Sequence, residues 1–192
     1  MNLTLRSRIE KFSQIIGLTK ITNVQMQACD LEVEITSLQK HLSRLKSDHQ
    51  NLYIIGNGGS AGVAAHAVTD FFNVANIRAT TLHESSLLTC MANDFGYENA
   101  ASRMLAQLLN SGDMVIVISS SGNSINMRNA AAIASEKGAY VVTLTGFSAN
   151  NPLRHMGHTN IWLDSDDYGF VEVGHQFILH NIADRFNKKL IG

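Results

Sequence analysis

Two patterns of apolar residues divide the chain near residue 48. In the first part, apolar residues recur at a spacing of three to four, and charged residues stand between them. This spacing is typical of amphipathic helices. The clearest apolar series is Leu31, Val33, Ile35, Leu38, Leu42 and Leu45. We therefore predict two helices within residues 1–48, with a break near residues 17–23, that pack on the body of the protein or on another subunit.

From residue 49 onward, short apolar runs end in turn-forming residues and alternate with helical stretches. The runs cover residues 52–55, 114–118, 139–144 and 160–163, with a further candidate at 78–82. Runs without polar alternation suit strands that are buried on both faces, as in parallel sheets. Alternating strands and helices at this spacing predict right-handed βαβ units. We expect an α/β domain over residues 49–192, with a flavodoxin-like parallel sheet between helices, a last helix at about 171–190, and the helical segment 1–48 added to it.

Composition narrows the function classes. A chain of 192 residues fits one domain. The net charge of −1 provides no overall positive field for nucleic acid or a membrane surface, and no apolar run approaches the roughly 20 residues that span a bilayer. The two cysteines, Cys29 and Cys90, are far apart and suit a reducing compartment. We expect a cytoplasmic protein that binds neither nucleic acid nor membrane.

A glycine-rich segment follows the first of these apolar runs. It reads Gly56-Asn57-Gly58-Gly59-Ser60-Ala61 and opens a helical stretch. Glycine permits a sharp turn and close approach to a ligand, and a helix N-terminus attracts anions or sugar hydroxyls. The segment lacks the Gly-Lys-Ser/Thr of a Walker loop, and Ala61 stands where the dinucleotide fingerprint has its third glycine. Taken alone, it is equally compatible with a structural turn.

A serine-rich segment follows a second strand. Ser119, Ser120, Ser121 and Ser124 supply four hydroxyls beside the start of a helix, which suits an uncharged phosphate cradle. A serine-rich cap and turn is the structural alternative. Both segments stand at the carboxyl ends of predicted parallel strands, where ligands bind in open α/β sheets. We therefore favour a ligand site that the two loops share.

Two helices carry further candidate residues. His66 and Asp70 are four positions apart, so they share a helix face. On the last helix, Glu172 and His180 project within roughly 80° of each other, whereas His175 projects to the other side of Glu172. Each of these residues, taken alone, is more often structural than functional.

In combination, these motifs resemble a known family. The glycine segment, His66 and Asp70 precede Ala-Asn-Asp-Phe-Gly-Tyr-Glu-Asn at 92–99, the serine segment, Leu-Thr-Gly at 144–146 and Glu172-x-x-His175-x4-His180. The chain resembles the phosphoheptose isomerases of the SIS (sugar isomerase) family over essentially its whole length. The resemblance implies interconversion of sedoheptulose 7-phosphate and D-glycero-D-manno-heptose 7-phosphate. It also implies a homotetramer, and zinc or another divalent metal as cofactor.

The resemblance also implies roles for individual residues. The four serines would hold the phosphate, and the remaining substrate contacts would come from Asn57, Gly58, Gly59, Ser60, Asn93, Asp94 and Glu172. The metal and acid–base positions fall on His66, Asp70, Glu172 and His180. For isomerisation through an enediol, Asp70 is our expected base and His180 the expected acid. Glu172 replaces Asp70 as the base if Asp70 is a tight metal ligand.

The chain departs from the family at several positions. Asp70 replaces a glutamate, Glu172 a glutamine and Val74 an arginine, and residues 82–86 read Leu-His-Glu-Ser-Ser. Two nearby carboxylates would repel without a cation, so the change at Glu172 favours a metal-dependent variant. The departures keep two alternatives open, which are an isomerase of a different sugar phosphate and a non-catalytic SIS protein that senses a sugar phosphate or binds a partner.

Overall fold

A mixed sheet between two layers of helices organises the chain, and the computed structural model describes residues 4–187. The strands are β1 (Lys20–Asn23), β2 (Ala28–Cys29), β3 (Asn51–Gly56), β4 (Arg78–Thr80), β5 (Met114–Ser119), β6 (Tyr140–Thr145) and β7 (Thr159–Trp162). The helices are α1 (Leu5–Gly17), α2 (Leu31–Ser47), α3 (Gly59–Asn73), α4 (Ser85–Phe95), α5 (Tyr97–Leu108), α6 (Ile125–Glu136) and α7 (Tyr168–Asp184), with a 3₁₀ turn at Pro152–His155. The strand order is β2-β1-β7-β6-β5-β3-β4.

Five adjacent strands, β4, β3, β5, β6 and β7, pair in parallel. These are the five strands that the apolar runs predict. All six residues of β5 are buried, which agrees with a strand that is covered on both faces. Alternate residues enter different cores: Ile116 belongs to the cluster under α2, α3 and α7, and Val117 to the cluster under α5 and α6. The α/β prediction is therefore confirmed for this part of the sheet.

The N-terminal part differs from the expectation in one respect. The two predicted helices are present as α1 and α2, but the break between them contains the hairpin of β1 and β2. β1 pairs antiparallel with β7, with Ile21 opposite Ile161. The sheet is therefore mixed: the predicted parallel strands are present, and an antiparallel hairpin that the sequence analysis did not predict is added at this side. The hairpin is held by its pairing with β7, which a local apolar pattern does not report.

The last helix begins earlier than the sequence predicts. Asp167 accepts a hydrogen bond from the N–H of Phe170 at 3.2 Å and so caps α7. The predicted end near residue 190 lies outside the described residues. α7 packs beside α3 on one face of the sheet, and Phe71, Leu179 and Ile182 share the core between them. Within residues 4–187, no helix has the length and apolar character needed to cross a bilayer.

Candidate active site

The glycine and serine loops leave the sheet side by side. β3 and β5 are neighbouring parallel strands, and Gly56 stands opposite Ile118 in their register. The two loops therefore enclose a cleft of about 220 Å³ at the carboxyl edge of the sheet. The cleft is lined by Asn57, Gly58, Gly59, Ser60, Ile118, Ser119, Ser120, Ser121, Ser124, Tyr168 and Glu172. The shared ligand site expected from the two loops is thus present as one cavity.

The glycine loop turns sharply into α3. Gly58 has a φ of +54°, a conformation that favours glycine. A Cβ atom on Gly59 would collide with the carboxylate of Glu172, which reaches over from α7. The first N–H groups of α3 have no side-chain cap. The carboxylate of Glu172 therefore stands at the start of α3, on the wall of the cleft.

The serine loop offers hydroxyls that the fold leaves largely uncommitted. Ser124 is the N-cap of α6, yet its side chain makes no capping hydrogen bond. Its oxygen accepts only a long bond, 3.4 Å, from the hydroxyl of Ser119 among the described residues. The buried hydroxyl of Ser120 has no partner within the described chain. Buried polar groups are normally paired, so these hydroxyls, together with the N-terminus of α6, suit a bound anion.

Three titratable side chains meet farther along α3 and α7. Oδ2 of Asp70 lies 2.8 Å from Nδ1 of His180 and 3.4 Å from Nε2 of His66. One ligand atom from each residue falls within 4.8 Å of the other two. The hydrogen bond to Asp70 raises the pKa of His180, and the nearby Asp184 adds to the effect. Two imidazoles and a carboxylate form a donor set that fits a divalent metal with an open position.

The cleft and this group lie at two different heights along the packed helices α3 and α7. On α3, His66 follows Gly59 by seven positions, about 10 Å along the helix axis. On α7, His180 follows Glu172 by eight positions, about 12 Å. The two helices therefore run in the same direction, and Glu172 lies in the cleft rather than with His66, Asp70 and His180.

This geometry accompanies clear similarity to known proteins. A model of the SIS domain matches residues 18–146. The chain belongs to the SIS domain family. It is 32% identical over 171 residues to a phosphoheptose isomerase from Geotalea daltonii, a match that covers 85% of this chain and 88% of the relative.

Solved structures agree with the SIS assignment. Phosphoheptose isomerase GmhA from Neisseria gonorrhoeae superposes with a TM-score of 0.75 at 25% identity, covering 95% of this chain and 98% of that one. A phosphoheptose isomerase from Francisella tularensis gives a TM-score of 0.80 at 22% identity, covering 96% of each chain. The SIS fold therefore extends over the N-terminal helices and the hairpin as well as the central sheet.

Three other predicted sugar-binding residues do not present free side chains to the cleft. Asn93 and Asp94 are exposed on α4, outside the residues that line the cleft, and Asn93 donates to the Asp94 carboxylate at 2.9 Å. The side chain of Asn57 is engaged with Asn126 and Tyr97. Their predicted contacts with a sugar remain predictions.

Two residues that line this SIS cleft, Ile118 and Tyr168, are not among the predicted site residues. Tyr168, the first residue of α7, borders the cleft, and its ring packs against Phe147 with centroids 4.8 Å apart. It precedes Glu172 by four positions, so the two share a helix face. The four-residue spacing from Glu172 is the sequence signal that could have identified Tyr168.

His175 supports the site from below. It is fully buried, and its Nε2–H donates to the carbonyl of Thr145 at 3.1 Å, at the end of β6. Burial lowers the pKa of His175 to about 4, so the ring is neutral. Gly146, which follows Thr145 in the chain, donates its N–H to the carbonyl of Ser120 at 2.9 Å. His175 therefore steadies the strand end that holds the serine loop.

Proposed function

We propose that this chain is an aldose–ketose isomerase that converts sedoheptulose 7-phosphate into D-glycero-D-manno-heptose 7-phosphate. The observation that carries the proposal is the pairing of a largely uncommitted serine cradle with a histidine–aspartate group farther along α3 and α7. The cradle suits a phosphate, and the second group suits proton transfer near a carbonyl. The similarity to a relative named phosphoheptose isomerase supports the same activity.

The separation of the two places supports a long sugar. With a phosphate at the serine loop beside Gly59, the group around His66 begins about 10 Å farther along α3. An extended seven-carbon sugar has a comparable distance between its terminal phosphate and the carbonyl at its other end. Shorter sugar phosphates would leave the carbonyl short of His66, Asp70 and His180. The separation of the two places along α3 therefore favours a heptose over a smaller sugar.

The residues present fit a metal at the group of three. We propose zinc, held by His66, Asp70 and His180. Glu172, the fourth ligand that the family resemblance implies, stands in the cleft about 12 Å away along α7 and lies outside this group. When bound, the ion supplies a Lewis acid that polarises sugar oxygens. The donor set of two imidazole nitrogens and one carboxylate oxygen is of the kind found in catalytic zinc sites.

The protein's own groups account for the proton transfers. A carboxylate removes a proton from C1, the carbon next to the ketose carbonyl at C2, while the C2 oxygen gains a proton and an enediol forms. Return of a proton to C2 and loss of one from the C1 oxygen give the aldose, so no oxidant or reductant is needed. His180 is the proposed acid, and its hydrogen bond with Asp70 raises its pKa while no metal is bound. Asp70 is the proposed base. Glu172 is the alternative that the family resemblance keeps open, although its carboxylate stands in the cleft and not beside His180.

We further propose that the protein assembles as a homotetramer. Leu5, Ile9, Val173 and Phe177 of α1 and α7 are each more than half exposed. Leu5, Ile9 and Val173 also border an almost wholly apolar hollow of about 360 Å³. Exposed apolar patches of this kind commonly mark interfaces, and closed symmetric assembly is the usual outcome for identical chains. The free thiols of Cys29 and Cys90 support the cytoplasm as its compartment.

Turnover of sedoheptulose 7-phosphate by the purified protein tests the proposal. We expect conversion to the aldose, its loss in Asp70→Ala or Glu172→Ala, whichever carboxylate is the base, and its retention in His155→Ala, where an exposed side chain outside the cleft is changed. Product analysis with shorter sugar phosphates identifies an altered substrate. Binding of a sugar phosphate without any turnover would instead support a sensor.

A further inference from the structure

The side chain of Asn57 is held by two other residues. Its Oδ1 accepts hydrogen bonds from the hydroxyl of Tyr97 and from Nδ2 of Asn126, each at 2.9 Å. Its Nδ2 donates to Oδ1 of Asn126, also at 2.9 Å. Both lone pairs of the Asn57 oxygen are therefore used. We call these three residues the Asn57 triad.

The Asn57 triad joins three segments that border the site. Asn57 lies in the glycine loop, and Asn126 lies in the first turn of α6, two positions after Ser124 of the serine loop. Tyr97 begins α5, immediately after the turn at Gly96 that ends α4. The triad therefore connects both ligand loops to the helix that carries Asn93 and Asp94.

The hydroxyl of Tyr97 matters more for this connection than its ring does. The side chain is half exposed, so burial contributes little to its position. α4 has no fully buried residue along its eleven positions, so its packing on the body is light. A hydrogen bond from Tyr97 to Asn57 fixes the end of this helix against the cleft.

We propose that Tyr97 and Asn126 are positioning residues, which hold Asn57 so that the glycine loop, the serine loop and α4 keep one spacing around the sugar phosphate. The inference rests on the proposed function for its catalytic consequence. Neither residue touches the reacting atoms; both act through Asn57. Displacements of about 1 Å in such a frame can slow a reaction by up to about a hundredfold.

Tyr97→Phe is the direct test, and Tyr53→Phe is its matched control. Tyr53 donates its hydroxyl to the carbonyl of Leu108 at 3.3 Å, away from the residues that line the cleft. We expect Tyr97→Phe to lower kcat/KM for sedoheptulose 7-phosphate about tenfold, chiefly through kcat. Tyr53→Phe should change it less than about twofold, because it removes one hydroxyl away from the site. Equal effects of the two substitutions would overturn the proposal.

A double-mutant cycle shows whether Tyr97 acts through Asn57. In an Asn57→Ala background, Tyr97→Phe should have no further effect, because its acceptor is gone. An undiminished effect in that background would overturn the proposal. If Asn57→Ala does not fold, Asn126→Ala is the alternative background, in which the effect of Tyr97→Phe should be altered because the Asn57 oxygen has lost its other donor.

Amide hydrogen exchange separates this inference from the proposed function. In the free protein, residues 57–62 and 93–97 should exchange faster in Tyr97→Phe than in the parent, with no change in Tyr53→Phe. Faster exchange in a protein without isomerase turnover would support the triad and reject the proposed function. Turnover by the parent, with unchanged exchange and unchanged kinetics in Tyr97→Phe, would reject the triad alone.

Discussion

Nδ1 of His180 and Oδ2 of Asp70 lie 2.8 Å apart, although 110 positions separate the two residues in the chain. The contact bridges α3 and α7, and His66 completes the group from the same face of α3. The carboxylate of Asp70 is mostly buried, whereas both histidines are about half exposed. A buried acceptor between two accessible imidazoles is well placed to recruit a cation from solvent.

Metal content is the first expected outcome. Protein purified without chelators should hold a divalent metal, and His66→Ala or Asp70→Ala should reduce it to background, because each removes one of three ligands. Elemental analysis of the dialysed proteins measures this. His155→Ala controls for loss of an exposed histidine outside the group. Undiminished metal in both ligand variants would place the ion elsewhere.

Ser124 should matter for substrate and not for stability. Its side chain makes no capping bond at the start of α6, so Ser124→Ala should leave thermal unfolding nearly unchanged while raising KM for the sugar phosphate about tenfold, through loss of a hydrogen bond to a charged group. Asp30→Ala is the opposite case, because Asp30 caps α2 through a 3.0 Å bond from the N–H of Val33. That variant should lose about 1 kcal/mol of stability with KM unchanged. Calorimetry measures the stability of each variant, and initial rates measure its KM. A destabilised Ser124→Ala would contradict the assignment of Ser124 to phosphate binding.

His175 should make the fold sensitive to acid. Its pKa is about 4 in the folded protein and about 6.5 when exposed. Its neutral ring therefore contributes fully above pH 6.5, and the contribution falls as the pH drops towards 4, by up to about 3 kcal/mol. His175→Gln keeps a donor for Thr145 but does not titrate, so its free energy of unfolding should fall less steeply between pH 6.5 and 4. Urea unfolding at several pH values measures the slope. His155→Gln serves as the exposed control, and equal slopes in parent and His175→Gln would contradict the expectation.

Self-association should depend on the apolar face of α1 and α7. Ile9→Glu and Val173→Glu place charges within the exposed patch and should shift the protein to smaller species in light scattering. Leu108→Glu, on the exposed side of α5, is the matched control and should leave the mass unchanged. A parent protein that is monomeric at micromolar concentration would reject the tetramer.

The strongest local patterns predicted the fold well. The parallel strands could be recognised because each is an unbroken apolar run, as in β5, where every residue is buried. β1 could not, because only Ile21 and Thr22 of its four residues are buried and its strand conformation depends on pairing with β7. Such pairing joins distant parts of the chain, which periodicity does not report.

The candidate site was predictable where helix geometry applied and obscure where it did not. The four-residue spacing brought His66 and Asp70 together, and family resemblance supplied His180. The family resemblance grouped Glu172 with them. Angular projection agreed for Glu172 and His180, but it ignores the axial rise of about 12 Å between these two residues. The bond between Tyr97 and Asn57 depends on how α5 packs against the glycine loop, so no local pattern contains it.

The two margins of the sheet have a consequence for how copies of the chain associate. β2 has two residues and β4 has three, and these are the outermost strands. Strands this short offer few free N–H and C=O groups to a neighbouring molecule, and natural proteins use this device against aggregation. Because the hairpin caps β7, removing the N-terminal segment would uncover a longer, fully buried strand. The β1–β2 hairpin therefore protects the β7 edge of the sheet from pairing with another molecule. Ordered assembly is then left to the helix faces.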